Sequence, residues 1–160
     1  MPSSTFQNEL EKNDNLALWI LLDHARNALA RSRELELAQF NLTPEQQIVL
    51  YTLWSCGGSA TNAEIAERTI RQYNSVTTLV NRMETAGLVT KEKAPHDKRY
   101  IVTMTEKGRK IYGMITTKCI DMAFAELSAE DKARLSSYLV HIEERGRKML
   151  GMDIKLPFLI

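Results

Sequence analysis

The stretch from residue 61 to 108 constrains the fold of this chain most, because its residue pattern predicts a fixed order of short elements. Thr61 is a typical N-cap, and Glu64, three places later, completes a capping box that begins a helix through about residue 68. After a short break, residues 73–84 carry apolar side chains at helical spacing, which we expect to point inward: Val76, Leu79, Val80 and Met83. The stretch therefore opens with two short helices separated by a turn.

A small hairpin is predicted after the second helix. Gly87 ends that helix, since glycine readily adopts the left-handed conformation common at helix ends. In residues 88–93 and 99–104, apolar and polar side chains then alternate as they do in two paired strands, and a charged tip separates the two segments. Two helices, a turn and a basic hairpin in this order predict a winged helix-turn-helix domain, within a mostly α protein that has a small β wing.

Positive charge is concentrated in the same part of the chain. Residues 68–110 hold ten Lys or Arg against four Asp or Glu, a net charge of +6, whereas the chain of 160 residues carries only +1. Clustered cations release counterions when they meet phosphates, so double-stranded DNA is the predicted partner. We expect Asp97 to orient Arg99 for the minor groove. The predicted DNA-binding residues are Arg71, Tyr73, Asn74, Ser75, Thr77, Thr78, Asn81, Arg82, Lys98 and Arg99.

The flanking segments predict how this domain pairs. We interpret residues 1–160 as a single domain with its DNA-binding part at 43–108 and dimerisation helices at 10–40 and 109–160. Within these flanks the pattern predicts long helices at 15–36 and 105–126, and a last helix that begins after Ser128. These helices and the tail at 156–160 are more apolar than one small core requires. We therefore expect a symmetric homodimer that binds a palindromic operator.

Three segments in register carry a resemblance to a known family. The run from Ser75 to Val89, the sequence Asp97-Lys98-Arg99 and the segment from Val102 to Gly108 resemble the multiple antibiotic resistance regulator (MarR) family. The resemblance implies a homodimeric bacterial or archaeal transcription factor, usually a repressor.

The chain departs from the family at two points. A Leu-Gly turn commonly precedes the recognition helix, but residues 69–73 contain no glycine. Because a left-handed backbone is costly at a β-branched residue, we expect Ile70 to avoid it. Tyr100 stands where a smaller residue is usual, and we expect it to alter the packing of the wing.

The resemblance also implies regulation by a small ligand. Thr43 is a plausible N-cap with Pro44 at the first helical position, and the helix that they begin carries two aromatic side chains. The expected effector is a small aromatic or anionic compound in an apolar pocket. Its predicted lining is Trp19, Leu22, Arg26, Tyr51, Trp54, Met114 and Lys118. The alternative is that these aromatic residues are plain core.

Other classes of function find little support in the sequence. The three histidines fall in different elements and no nucleophile or acid–base set is visible, so we expect neither an enzyme nor a bound metal or cofactor. Neither a signal peptide nor an apolar run of membrane-spanning length is seen, and the two cysteines suit a reducing compartment; the expectation is a cytoplasmic protein. The alternative function is a winged-helix module that binds another protein without specific DNA binding.

Overall fold

The computed structural model describes residues 14–94 and 99–152 of the chain. In that part the elements, in chain order, are α1 (Asp14–Ala38), α2 (Pro44–Ser55), β1 (Ser59–Thr61), α3 (Asn62–Thr69), α4 (Tyr73–Thr85), β2 (Val89–Lys93), β3 (Tyr100–Met104), α5 (Glu106–Met114), α6 (Lys118–Ala123) and α7 (Ala129–Met149). The molecule is mostly helical with a small sheet, as the sequence predicts.

Side-chain caps fix the starts of four helices. The hydroxyl groups of Thr43, Thr61, Thr105 and Ser128 each accept a hydrogen bond from the backbone N–H three residues on, at 3.0–3.3 Å. The capping box predicted at Thr61 is present, and Thr43 forms a second one with Gln46. The helix starts predicted after Thr43, Thr61 and Ser128 are confirmed.

The sheet is antiparallel, with β3 in the middle and β1 and β2 at its edges. Val89 pairs with Met104 across the predicted hairpin, and Ala60 pairs with Val102 on the other side. At three residues, β1 is too short to show a strand pattern, and the sequence did not predict it. The core extends from Leu37 to Met104 and includes Val76, Val80 and Met83 of α4, all fully buried.

The helix predicted over residues 105–126 is wrong, because the chain leaves the helical path between α5 and α6. Ile115 is extended, and it begins a run of three β-branched residues through Thr117. Side chains of α1 hold this break. Glu36 accepts hydrogen bonds from the Thr116 hydroxyl at 2.5 Å and from the backbone N–H groups of Lys118 and Cys119 at 2.9 and 3.3 Å.

Arg33 completes this buried junction. Its guanidinium lies 2.7 Å from the Glu36 carboxylate and donates to the Thr116 carbonyl at 2.5 Å and to the Gln47 side chain at 3.0 Å. Hydrogen bonds from the Cys119 thiol, the Thr116 hydroxyl and Arg33 lower the pKa of Glu36 to about 2, although desolvation opposes them. These contacts are tertiary, so helix periodicity alone could not reveal the break.

The expectation for the turn before α4 is also wrong. Ile70 adopts the left-handed conformation, with φ 52° and ψ 45°. The reason is that α3 must end there: the N–H of Ile70 bonds the Glu67 carbonyl at 3.3 Å, and the N–H of Arg71 bonds the Ala66 carbonyl at 2.9 Å. The free energy gained from these two hydrogen bonds, and from further contacts to the end of α3, outweighs the backbone strain of a left-handed conformation at the β-branched Ile70.

The outer helices leave apolar side chains uncovered. Only Arg33 and Leu37 are buried in α1, whereas Trp19 is 65% exposed. In α7 the exposed apolar side chains are Tyr138, Leu139, Ile142 and Met149. The apolar tail at 156–160 lies outside the described residues. No helix within 14–94 or 99–152 combines the length and hydropathy that crossing a membrane requires.

Candidate DNA-binding surface

Helix α4 separates an apolar face from a polar one, and this division creates the candidate surface. Val76, Val80 and Met83 are buried and Leu79 packs against them, as predicted. Eight of the predicted DNA-binding residues lie on the other sides of α4 or directly before it, and all are exposed except the half-buried Thr77. They are Arg71, Tyr73, Asn74, Ser75, Thr77, Thr78, Asn81 and Arg82. The helix begins at Tyr73, as the sequence suggests.

Two threonines of α4 have hydroxyl groups that are already engaged. Thr77 donates to the Tyr73 carbonyl at 3.1 Å, and Thr78 donates to the Asn74 carbonyl at 3.0 Å. The Thr77 oxygen also accepts a hydrogen bond from the Asn62 side chain at 3.4 Å, so it is the exposed Thr78 whose oxygen offers lone pairs rather than a proton, together with its methyl group. Such groups suit base edges that donate a hydrogen bond or carry a methyl.

A groove of about 560 Å³ separates the start of α2 from α4. Arg71 and Arg82 bring two positive charges to it, and Arg71 lies 4.0 Å from Glu45. Thr43 and Gln46 line the opposite wall. The sequence pattern at these two residues signals a helix start and nothing more, so their place in the groove was not predicted.

The wing is fastened to α4 by Lys91 of β2. Its ammonium group donates to the Asn81 side chain at 2.5 Å and lies 3.1 Å from the Glu84 carboxylate. The same group sits 5.9 Å from the centre of the Tyr100 ring, within the range of a cation–π contact. Tyr100 therefore contacts Lys91 within the wing, and Lys91 is a residue whose role the sequence did not reveal.

The tip of the wing is only partly described. Asp97 and Lys98 lie outside the described residues, so the predicted pairing of Asp97 with Arg99 stays a prediction. Arg99 is exposed just before β3. Hydrogen bonds from Thr61, followed by the charges of Arg68 and Arg99, lower the pKa of Glu64. Arg99 therefore places its charge near the start of α3 as well as beside the wing.

A second candidate site is aromatic. The ring of Trp54 lies 6.4 Å from that of Tyr51 and 6.3 Å from that of Tyr112, which the sequence analysis missed. Trp54 is 61% exposed, so it is not plain core. Of the other predicted lining residues, Trp19, Leu22 and Arg26 are on exposed parts of α1, and Met114 and Lys118 flank the break between α5 and α6.

Comparison with known proteins places this surface in context. Residues 42–101 match the model of the MarR family. The organic hydroperoxide resistance transcriptional regulator of Bacillus subtilis is 25% identical over 139 residues, which cover 83% of this chain and 90% of the relative. The homoprotocatechuate degradative operon repressor of Escherichia coli is 29% identical over 125 residues, covering 73% and 83% respectively.

Solved structures share this fold. The organohalide-sensing RdhR transcriptional regulator in its 2,4-dichlorophenol-bound form superposes with a TM-score of 0.78 at 26% identity, covering 91% of this chain and 86% of that one. A variant of MarR from E. coli in complex with operator DNA gives a TM-score of 0.74 at 21% identity, with coverages of 81% and 96%.

Proposed function

Since the chain belongs to the MarR family of winged helix-turn-helix transcriptional regulators, we propose that it is a homodimeric repressor that binds a palindromic operator and is released by a small ligand. Family members of this kind regulate transcription and are not enzymes. Because its target is chromosomal DNA, the proposal places the protein in the cytoplasm. The observation that carries it is the exposed polar face of α4 beside a basic wing.

Direct reading of DNA is assigned to α4. A helix of 13 residues whose buried side supports an exposed polar side has the dimensions that the major groove accepts. Arg71 and Arg82, which line the groove between α2 and α4, would meet phosphates, and Arg99 would enter the adjacent minor groove. A protein-binding module would present apolar anchors on this face, so the protein-interaction alternative lacks support.

Dimerisation is assigned to α1 and α7. Exposed large apolar side chains on these two helices, including Trp19, Tyr138 and Ile142, form more apolar surface than a single chain covers. A symmetric dimer would bury them and set two copies of α4 about one helical turn of DNA apart, roughly 34–36 Å.

The effector is assigned to the rings of Tyr51, Trp54 and Tyr112. Burial raises the pKa of Tyr51 and of Tyr112, and both side chains are half-buried beside the exposed Trp54. Such an aromatic wall suits a small aromatic compound, and Lys118 or Arg26 would pair with its negative charge. The similar regulator that holds 2,4-dichlorophenol supports this class of ligand.

A selection from a random duplex DNA library tests the proposal. We expect the wild-type protein to recover a palindromic sequence and Arg99→Ala to bind it about 1–3 kcal/mol more weakly, with the slope of log affinity against log salt reduced by about one. Arg134→Ala, which removes an exposed arginine of α7, is the control and leaves both unchanged. Failure of the wild-type protein to enrich any sequence would overturn the proposal.

A further inference from the structure

One side chain of the last helix, α7, forms hydrogen bonds with the winged helix-turn-helix part of the chain. Arg147 is the one buried residue of α7, Ala129–Met149, and only 3% of its surface is exposed. Its guanidinium donates to the backbone carbonyl of Glu67 at 3.1 Å and to that of Arg68 at 3.2 Å. Both carbonyls belong to the final turn of α3, so a residue from the far end of the chain caps the first helix of the helix-turn-helix.

The carbonyls need this partner. The last carbonyl groups of a helix have no N–H partner within the helix, and here the chain turns away at Ile70 in a left-handed conformation. Glu67 has a second, longer bond from the N–H of Ile70 at 3.3 Å. A guanidinium is well suited to the task because its fixed fork of donors meets two acceptors at once and its charge complements the helix dipole.

The guanidinium is itself held in place. Glu143, one turn earlier on α7, accepts a hydrogen bond from its Nε atom, which fixes the direction of the two outer nitrogen atoms. Arg134 and Glu130 form an ion pair with the same spacing on the same helix, through the Nη2 atom of Arg134, but both are exposed and neither bonds another element among the described residues. The two pairs differ in their surroundings, not in their spacing.

We propose that Arg147 is a positioning residue for DNA recognition: it fixes the end of α3 and the strained turn at Ile70, and thereby the direction in which α4 leaves that turn. This inference rests on the proposed function, since it concerns how α4 is presented to DNA. It also provides a direct link to the exposed apolar face of α7, because Ile142 and Met149 of that face lie within one and a half turns of Arg147. A change at that face would be transmitted through these two hydrogen bonds to the end of α3, and from there to α4.

The inference predicts a particular pattern in DNA binding. Arg147→Met keeps an unbranched apolar stem but removes both bonds, and we expect it to weaken binding to the duplex recovered by the wild-type protein by about tenfold or more. Binding to a scrambled duplex and the salt slope of binding should not change, because a buried side chain releases no counterions from DNA. Arg147→Lys, which offers one ammonium group instead of a fork, should show a smaller loss.

The experiment compares both variants with the matched control Arg134→Met by DNA titration, sedimentation and amide hydrogen exchange. We expect faster exchange confined to the end of α3 and the residues around Ile70, in a protein whose helix content and oligomeric state are unchanged. The inference is overturned if Arg147→Met selects DNA as the wild type does. It is equally overturned if every Arg147 variant loses specific and non-specific binding together with its folded structure, since the side chain would then only support the fold. A wild-type protein that selects no sequence would instead contradict the proposed function.

Discussion

Two charged residues of this chain, Glu36 and Arg147, form hydrogen bonds with backbone groups outside their own helices. Glu36 accepts bonds from Thr116 in the break between α5 and α6 and from the first two residues of α6, while it pairs with Arg33. Arg147 plays the corresponding part at the end of α3. In both cases a charged side chain satisfies backbone groups where a helix begins or ends, so the irregular points of the fold are tied together.

The carboxylate of Glu36 makes stability depend on pH. Since its pKa is lowered from 4.5 to about 2, its contribution is complete above about pH 4.5 and is lost as the pH falls through 2. We expect Glu36→Gln to unfold at lower temperature than the wild type at pH 7, and the difference to shrink as the pH is lowered toward 2. Thermal unfolding followed by circular dichroism measures this.

Glu34→Gln is the matched control, because Glu34 forms an exposed ion pair with Arg31 on the same helix. Its effect on the unfolding temperature should be small at every pH. A Glu36→Gln variant with the same pH profile as the wild type would contradict the role of the carboxylate.

At the scale of elements, one close approach joins α5 to the wing. Gly108 is buried, and a Cβ atom on it would lie 2.3 Å from the Leu88 carbonyl oxygen and 3.0 Å from Met104. The hydroxyl of Thr105, the N-cap of α5, donates to the carbonyls of Gly87 and Leu88 at 2.7 and 3.1 Å. The backbone of α5 at Gly108 therefore lies too close to Leu88, just before β2, to leave room for a side chain at this position.

Two glycines of the same helix should therefore respond in opposite ways to alanine. We expect Gly108→Ala to lower the free energy of unfolding by about 1–3 kcal/mol, because backbone atoms must move. Gly113 has no atom within 4 Å of its would-be Cβ, so Gly113→Ala should raise the free energy of unfolding by about 0.5–1 kcal/mol. Urea unfolding of both variants measures the contrast, and equal effects would argue against the close approach.

The same scale shows what the sequence can reveal. Local signals identified the helices of the winged domain, because the Thr61 cap, the period of α4 and the alternation of the hairpin are readable in consecutive residues. Glu36 bonds the break after Met114 and Arg147 bonds the end of α3 before Ile70, each across about 80 residues of sequence. No window along the chain contains both partners of such a contact. The polar face of α4 was likewise predictable, whereas the groove beside α2 and the Lys91 contact required tertiary structure.

Considered as a whole, the molecule combines a packed centre with apolar outer helices. On α1 the buried core includes Leu37, whereas Trp19 on the same helix and Ile142 on α7 remain exposed. We expect Ile142→Asp to yield a monomer that no longer selects DNA, because the charge would be placed in the proposed subunit interface. Sedimentation equilibrium measures the mass.

Ser136→Asp serves as the control for that substitution. Ser136 lies on the same helix but on the side away from Tyr138 and Ile142, so the variant should remain a dimer. A dimeric Ile142→Asp protein would show that the interface lies elsewhere.

The exposed apolar surface of α1 also makes the stability of the folded protein depend on its concentration. If two chains must meet to cover that surface, unfolding separates them, and the folded fraction follows mass action. A tenfold fall in the total amount of chain then removes about 1.4 kcal/mol of free energy of unfolding per dimer. A regulator built in this way is least stable when it is scarce, so its occupancy of DNA rises more steeply than its abundance.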